Sequence, residues 1–337
     1  MVQLPTDILR EKLEDVELPE GEPDLLKDDS MLWRYLKARS GNIEEAQKMV
    51  RKSIEWRRTY KPYAIDCQWC HQKPGLHSLR QVGFDEAGRP VLYSSFTQAA
   101  TSRNTAAEAI SHLTYVLENA VKSMPDGVSQ WVLVFDCSGM STAACHPRLA
   151  YDCAQILSNH YPERLGKAFC ALPGTAFQAA WKAIRGFLPI NTVSKVKIIN
   201  SKTKLRSYFE EIFSPDMTDW MLTEIELNKK KNITPDQRSF WLPPPAGVHD
   251  PRGSSEYTDK WLSNHPSGHR PHPNIVDNLE RGLSSPAAIP VSGSSGDLDG
   301  SINSSEDEAE LDDEKASDFL KQLPTEYQIP TDAGLLS

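Results

Sequence analysis

No run of about 18 consecutive apolar residues, the length needed to cross a bilayer as a helix, occurs anywhere in this chain of 337 residues. The start, Met1-Val2-Gln3-Leu4-Pro5-Thr6-Asp7, has neither the basic n-region nor the apolar h-region of a secretory signal. Several enzyme signatures are missing too. There is no G-x-S-x-G elbow, no G-x-x-x-x-G-K-[ST] phosphate loop, no G-x-G-x-x-G, no H-E-x-x-H, and no cysteine with an arginine six positions later. His112, His146 and His160 fall in no recognisable nucleophile–base motif, and no basic cluster is stronger than Lys229-Lys230-Lys231, which argues against a nucleic-acid footprint. These absences point to a cytosolic protein without catalysis of its own, and a monomer is expected.

Cysteine is scarce. The six thiols, Cys67, Cys70, Cys137, Cys145, Cys153 and Cys170, are expected to be reduced in a cytosolic setting. Cys67-Gln68-Trp69-Cys70-His71 has the spacing of a haem c attachment site, and Cys145-His146 invites a zinc reading. Haem attachment needs an exported chain and a distal ligand. A structural zinc site needs a second ligand pair at ordered spacing, and the sequence offers none. No metal or cofactor is expected, and Cys137, Cys153 and Cys170 read as small core residues.

Positive charge is missing from one end. Residues 296–337 hold twelve Asp or Glu against Lys315 and Lys321, a balance of -10 that leaves +1 of the chain's -9 for the preceding 295 residues. A near-neutral body is not repelled by an anionic membrane surface, whereas such a tail is.

What is present divides the chain into four parts. Residues 1–29 are polar and acidic, carry Pro5, Pro19 and Pro23, and read as a loosely ordered lead. Residues 30–62 predict two helices: Leu32, Tyr35, Leu36 and Arg39 share one face, and Ala46, Met49, Val50 and Ile54 another, with Gly41 as a stop and Asn42 as an N-cap. Residues 63–231 alternate strands with helices, which predicts an α/β domain with a mainly parallel sheet. The strands are placed near Leu79–Val82, Val91–Phe96, Trp131–Cys137, Ala168–Leu172 and Val196–Ile199. Helices are placed over Ala106–Met124, Arg148–His160, Thr175–Phe187, Lys204–Phe213 and Met217–Asn228. Residues 232–337, opening with Pro243-Pro244-Pro245 and rich in Pro, Ser and Gly, are expected to be disordered and acidic at the end.

The most informative stretch runs from Tyr161-Pro162-Glu163-Arg164-Leu165-Gly166-Lys167 to Leu188-Pro189-Ile190-Asn191-Thr192-Val193-Ser194-Lys195. Between those ends lie a short apolar strand and a helical stripe of Phe177, Trp181, Ile184 and Phe187 or Leu188, broken at Pro189. Together with Leu32-Trp33-Arg34-Tyr35-Leu36-Lys37-Ala38-Arg39, Trp56-Arg57, Asp85-Glu86-Ala87-Gly88-Arg89-Pro90-Val91 and Val132-Leu133-Val134-Phe135-Asp136, these motifs resemble the Sec14-like, or CRAL-TRIO, family of lipid-binding and lipid-transfer proteins over roughly residues 28 to 228.

The resemblance implies a CRAL-TRIO α/β domain with an apolar lipid pocket behind a small helical lead-in domain. It implies a gate helix carrying Phe177, Trp181 and Ile184, and a phosphatidylinositol headgroup site at Arg39, Glu163, Thr192 and Lys195. The chemistry is consistent: Lys and Thr donate to a phosphodiester, Arg adds charge-assisted contacts, and Glu accepts from inositol hydroxyls. Read without the resemblance, Arg39 caps its helix, Glu163 pairs with Arg164 or Lys167, and the aromatic stripe packs permanently on the sheet.

Two positions depart from the family pattern. Ser40 follows the lead-in arginine where a basic residue is usual, and Trp131 and Leu133 stand on the pocket strand where phosphatidylcholine binders carry hydroxyls. The reading is therefore a carrier or presenter of phosphatidylinositol, with transient peripheral membrane association and a second hydrophobic ligand that is not phosphatidylcholine. The alternative is a lipid-sensing adaptor that retains one ligand and recruits a protein partner through its tail.

Overall fold

A computed structural model of the protein describes residues 3–67, 77–96, 105–140, 147–188 and 190–229. The expected disordered tail over 232–337 lies outside the described residues, as do Cys70, His71, Cys145, His146 and Pro189.

The N-terminal unit is helical, with α1 (Pro5–Glu11), α2 (Asp29–Ala38) and α3 (Ile43–Tyr60). Asn42 caps α3 as its spacing predicts, its side chain accepting the Glu45 N–H at 3.0 Å. Gly41 adopts φ +81°, a left-handed conformation that glycine reaches without a Cβ clash. Leu32, Tyr35 and Leu36 of α2 pack with Ala46, Met49, Val50 and Ile54 of α3 in one apolar core.

Residues 3–29 are not the loose lead that their prolines and acids suggest. Leu9 and Leu13 are completely buried in that same core, with Val16, Leu18, Leu25 and Leu26 packed around it. The prolines are compatible with order: Pro5 is the first residue of α1, where its missing N–H costs nothing. The leucines spaced four apart carried the helical signal, and the surrounding charge masked it.

The second unit holds a five-stranded sheet in the order β1-β2-β3-β4-β5: β1 (Arg80–Phe84), β2 (Pro90–Ser95), β3 (Trp131–Asp136), β4 (Leu165–Ala171) and β5 (Val196–Ile199). β1 and β2 form an antiparallel hairpin, and every later pairing is parallel. The crossovers carry α4 (Ala106–Lys122), α5 (Pro147–His160), α6 (Thr175–Ile184) and the short α7 (Ile190–Val193). After β5 come α8 (Lys202–Glu210) and α9 (Pro215–Asn228). Apart from α7, which the sequence pattern does not predict, each element of this unit lies within a few residues of where it is expected.

Side chains of a strand alternate between faces, so the two sides of this sheet are built separately. Val132 and Val134 join Phe169, Leu205, Phe209, Met217 and Met221 in a sealed core with α8 and α9. Trp131, Leu133 and Phe135 face the other way, toward α4, α5 and α6. On that side the apolar residues Phe135, Ile156, Leu157, Trp181, Ile184 and Val196 stay only half-buried.

Candidate functional site

The Tyr161-Pro162-Glu163-Arg164 turn links α5 to β4 and lies beneath the helical unit. Three of its four residues are anchors. Tyr161 is buried and donates to Glu118 at 2.6 Å. Glu118 in turn takes both terminal nitrogens of Arg57 on α3, each at 3.0 Å, and Arg57 also reaches Glu22 at 2.6 Å. Burial alone would raise the Glu118 carboxyl, but the Arg57 guanidinium and the Tyr161 hydroxyl outweigh it and hold its pKa below the ordinary value. Pro162 is buried, and Arg164 donates to the Ser129 carbonyl at 3.0 Å. Burial and the nearby charge of Arg34 push the Arg164 guanidinium down to about 10. At the following Gly166 a Cβ would be crowded, 3.1 Å from the Trp131 carbonyl oxygen and 3.0 Å from an Arg89 guanidinium nitrogen.

Glu163 is the residue this turn presents. Its backbone is left-handed, φ +57°, an uncommon conformation for a residue with a Cβ and one concentrated at binding sites. Oε2 of Glu163 lies 3.2 Å from Nζ of Lys37 and 3.7 Å from Nζ of Lys195. It pairs with neither Arg164 nor Lys167. Lys195 is placed by the turn after α7, where its N–H bonds the Thr192 carbonyl at 3.1 Å and its own carbonyl accepts from Ala168 of β4 at 3.0 Å. Thr192, half-buried on α7, therefore stands one turn from Lys195.

Glu163 and Lys195 are thus brought together, with Thr192 one turn from Lys195, and Arg39 makes no ion pair with Glu163 among the described residues. It occupies the C-cap of α2 and donates to the Ala38 carbonyl at 3.1 Å. Arg39 also lines a cleft of about 360 Å³ with Glu45, Lys48, Met49, Lys52, Asn159 and His160. Lys37 was not legible as part of the group: it sits two residues before Arg39 on the exposed side of α2, where a surface lysine carries no signal until the fold brings Glu163 to it.

The residues expected in the gate helix and pocket strand pack in apolar clusters against β3 and β4. Phe177 of α6 is buried with Cys137 and Cys170, its ring 6.2 Å from that of Phe96. Trp181 packs at the edge of the same cluster, and Ile184 packs near Met140 and Ala180. Trp131 is enclosed at the opposite end of β3, 1% exposed, with its ring centroid 5.9 Å from that of Tyr161, and its indole N–H meets no acceptor among the described residues. Leu133, next on that face, is also buried. No helix among the described residues is long and apolar enough to cross a membrane.

Residues 79–216 match the family model of the CRAL/TRIO domain. The chain is similar to the SEC14 cytosolic factor of Candida glabrata, 27% identical over 192 residues that cover 52% of this chain and 64% of that protein. It is similar also to the phosphatidylinositol transfer protein PDR17 of Saccharomyces cerevisiae, 26% identical over 232 residues that cover 59% of this chain and 62% of the relative. The chain thus spans less than two thirds of the length of the curated relatives it matches. The crystal structure of Sfh5 superposes with a TM-score of 0.51 over 60% of this chain and 82% of the other, at 15% identity, a likeness of fold.

Proposed function

We propose that this chain, whose residues 79–216 match the CRAL/TRIO domain, is a Sec14-like lipid-binding protein that binds phosphatidylinositol and carries or presents it between membranes, without catalysis. The observation that carries this reading is the convergence of Lys37 and Lys195 on Glu163. Without ligand the carboxylate holds the two ammonium groups in place. A phosphodiester competes for them, and the released Glu163 oxygens accept from the inositol hydroxyls. Thr192 adds a hydroxyl donor one turn away.

The acyl chains need an enclosure. Two of them present about 30 methylenes, and exposing these to water would cost on the order of 24 kcal/mol at ~0.8 kcal/mol each. An apolar pocket comparable to the bilayer interior makes exchange between the two nearly neutral, so a small gate movement at the membrane swaps the cargo. The half-buried apolar residues between the sheet and α5 and α6 supply the lining, and α6, bearing Phe177, Trp181 and Ile184, supplies the gate. The near-neutral first 295 residues allow a cytosolic protein to approach an anionic leaflet.

A binding experiment tests this. The full chain is incubated with vesicles containing labelled phosphatidylinositol or labelled phosphatidylcholine and then re-isolated. Retention of phosphatidylinositol alone is the expected result, and preferential retention of phosphatidylcholine contradicts it. The adaptor reading draws on the acidic tail, where Ser304-Ser305-Glu306-Asp307-Glu308 places acids after each serine in the context an acid-directed kinase selects. In that case one lipid is retained and not turned over.

A further inference from the structure

A second polar cluster lies away from the headgroup group, at the seam between the helical unit and the sheet. Cys67 follows α3 and its short 3-10 turn, His77 precedes β1, and His112 belongs to α4; all three are buried. One ligand-capable atom from each lies within 4.8 Å of the other two. Sγ of Cys67 is 3.5 Å from Nδ1 of His77, and the two imidazole rings stack with centroids 3.8 Å apart.

Buried thiols usually sit among apolar side chains, and a Cys-His-His trio in one buried spot calls for a specific account. The tautomer of His112 supplies it. Its Nε2 lies 2.7 Å from the Leu79 carbonyl oxygen, an acceptor only, so Nε2 carries the proton and donates. That leaves Nδ1 with the lone pair. A histidine whose outer nitrogen donates to a backbone carbonyl is the arrangement that orients metal-binding imidazoles. The spacing agrees. With Zn–S near 2.3 Å and Zn–N near 2.05 Å, a tetrahedral S···N edge is about 3.5 Å, the separation seen between Cys67 and His77. No separation in the trio exceeds 4.8 Å, so closing onto a tetrahedral N···N edge near ~3.3 Å asks for a contraction of at most about 1.5 Å.

We propose that Cys67, His77 and His112 form a zinc site that ties the segment after the helical unit to β1 and α4. A borderline metal with thiolate and imidazole preference suits one sulfur and two nitrogens better than an oxygen-seeking cation does. Binding deprotonates the Cys67 thiol, and the proton leaves to solvent. Three donors leave a fourth coordination position. His77 and His112 stand 35 residues apart in the chain and on separate elements, so the fold and not a local spacing brings these donors to Cys67. The ion would be structural, far from any chemistry on the lipid.

The test uses the full chain without a polyhistidine tag, purified without chelator. Elemental analysis should find about one Zn²⁺ per chain, and chelation should lower Tm, because an ion bound only by the folded state stabilises it. Co²⁺ added to the chelator-treated chain should give a thiolate charge-transfer band. Cys67→Ser should weaken or abolish that band, and His112→Gln should weaken Zn²⁺ binding by about tenfold or more. Absence of zinc together with no cobalt band, in unsubstituted protein with a native circular-dichroism spectrum, overturns the proposal. A cobalt spectrum unchanged in Cys67→Ser does so as well. The unsubstituted protein decides the question even if the variants fail to fold.

Discussion

The hydroxyl of Tyr161 donates to Oε1 of Glu118 at 2.6 Å, and the same carboxylate is held by both terminal nitrogens of Arg57. One buried carboxylate thus joins the turn that presents Glu163 to the helical unit that presents Lys37. Removing the donor with Tyr161→Phe should cost about 1.5–3 kcal/mol, the range for hydrogen bonds to charged groups. Removing the acceptor with Glu118→Ala should cost about 3–5 kcal/mol, since it strands a buried guanidinium. Urea unfolding of the two variants checks this order, and equal losses would contradict it.

The proposed headgroup pair should be separable from the fold. Thr192 and Lys195 are half-buried and outside the apolar clusters, so Thr192→Ala with Lys195→Ala should abolish phosphatidylinositol transfer while Tm changes little. Lys37→Ala, which removes the nearer of the two ammonium groups on Glu163, should weaken transfer in the same direction. A vesicle transfer assay paired with thermal unfolding measures both. Full transfer by the folded double variant would show that the lipid headgroup lies elsewhere.

For α6 the informative position is Trp181, half-buried at the edge of its cluster, rather than the more enclosed Phe177. Trp181→Asp places a carboxylate where acyl chains or the interfacial zone must be met, at a desolvation cost of several kcal/mol. Transfer should fall strongly with circular dichroism unchanged. A native variant with the full rate would rule out a gating role for this helix.

Stability should decline on mild acidification, and His160 should carry part of the decline. Its ring stacks on Trp56 at 4.0 Å, and burial together with the charge of Arg57 pushes its imidazole down to about 4. Between the ordinary histidine value near 6.5 and that value, the unfolded chain binds a proton that the folded chain refuses. Stability is therefore present in full above pH 6.5 and is lost as pH falls through this window. Glu118, whose pKa is lowered in the fold, adds its own loss once pH falls to the ordinary glutamate value near 4.5 and below. His160→Phe keeps a ring on Trp56 and should flatten the fall in Tm between pH 6.5 and 4; an unchanged slope would contradict the assignment.

The sheet and its helices were legible because each carries a strong local signal. Val132 to Phe135 and Ala168 to Leu172 are apolar runs bounded by polar turns, and Asn42 stands where a cap belongs. Glu163, Thr192 and Lys195 were legible as motif residues. Lys37 and the trio of Cys67, His77 and His112 were not, because each depends on contacts between residues distant in the chain. Trp131 illustrates the reverse case: its strand face follows from alternation, but not that Tyr161 and the α4 core seal it in. Replacing it with a hydroxyl residue to invite phosphatidylcholine would cost about 3–5 kcal/mol of stability before any new ligand could bind.

The central claim is that this chain moves phosphatidylinositol, and vesicle-to-vesicle transfer by the full chain at catalytic protein concentration tests it most directly. Many labelled phosphatidylinositol molecules per protein should reach the acceptor vesicles, phosphatidylcholine should move little above the spontaneous rate, and the Thr192→Ala, Lys195→Ala variant should be inactive. Transfer of no phosphatidylinositol, or equal transfer of both lipids by the unsubstituted and doubly substituted chains, would contradict it.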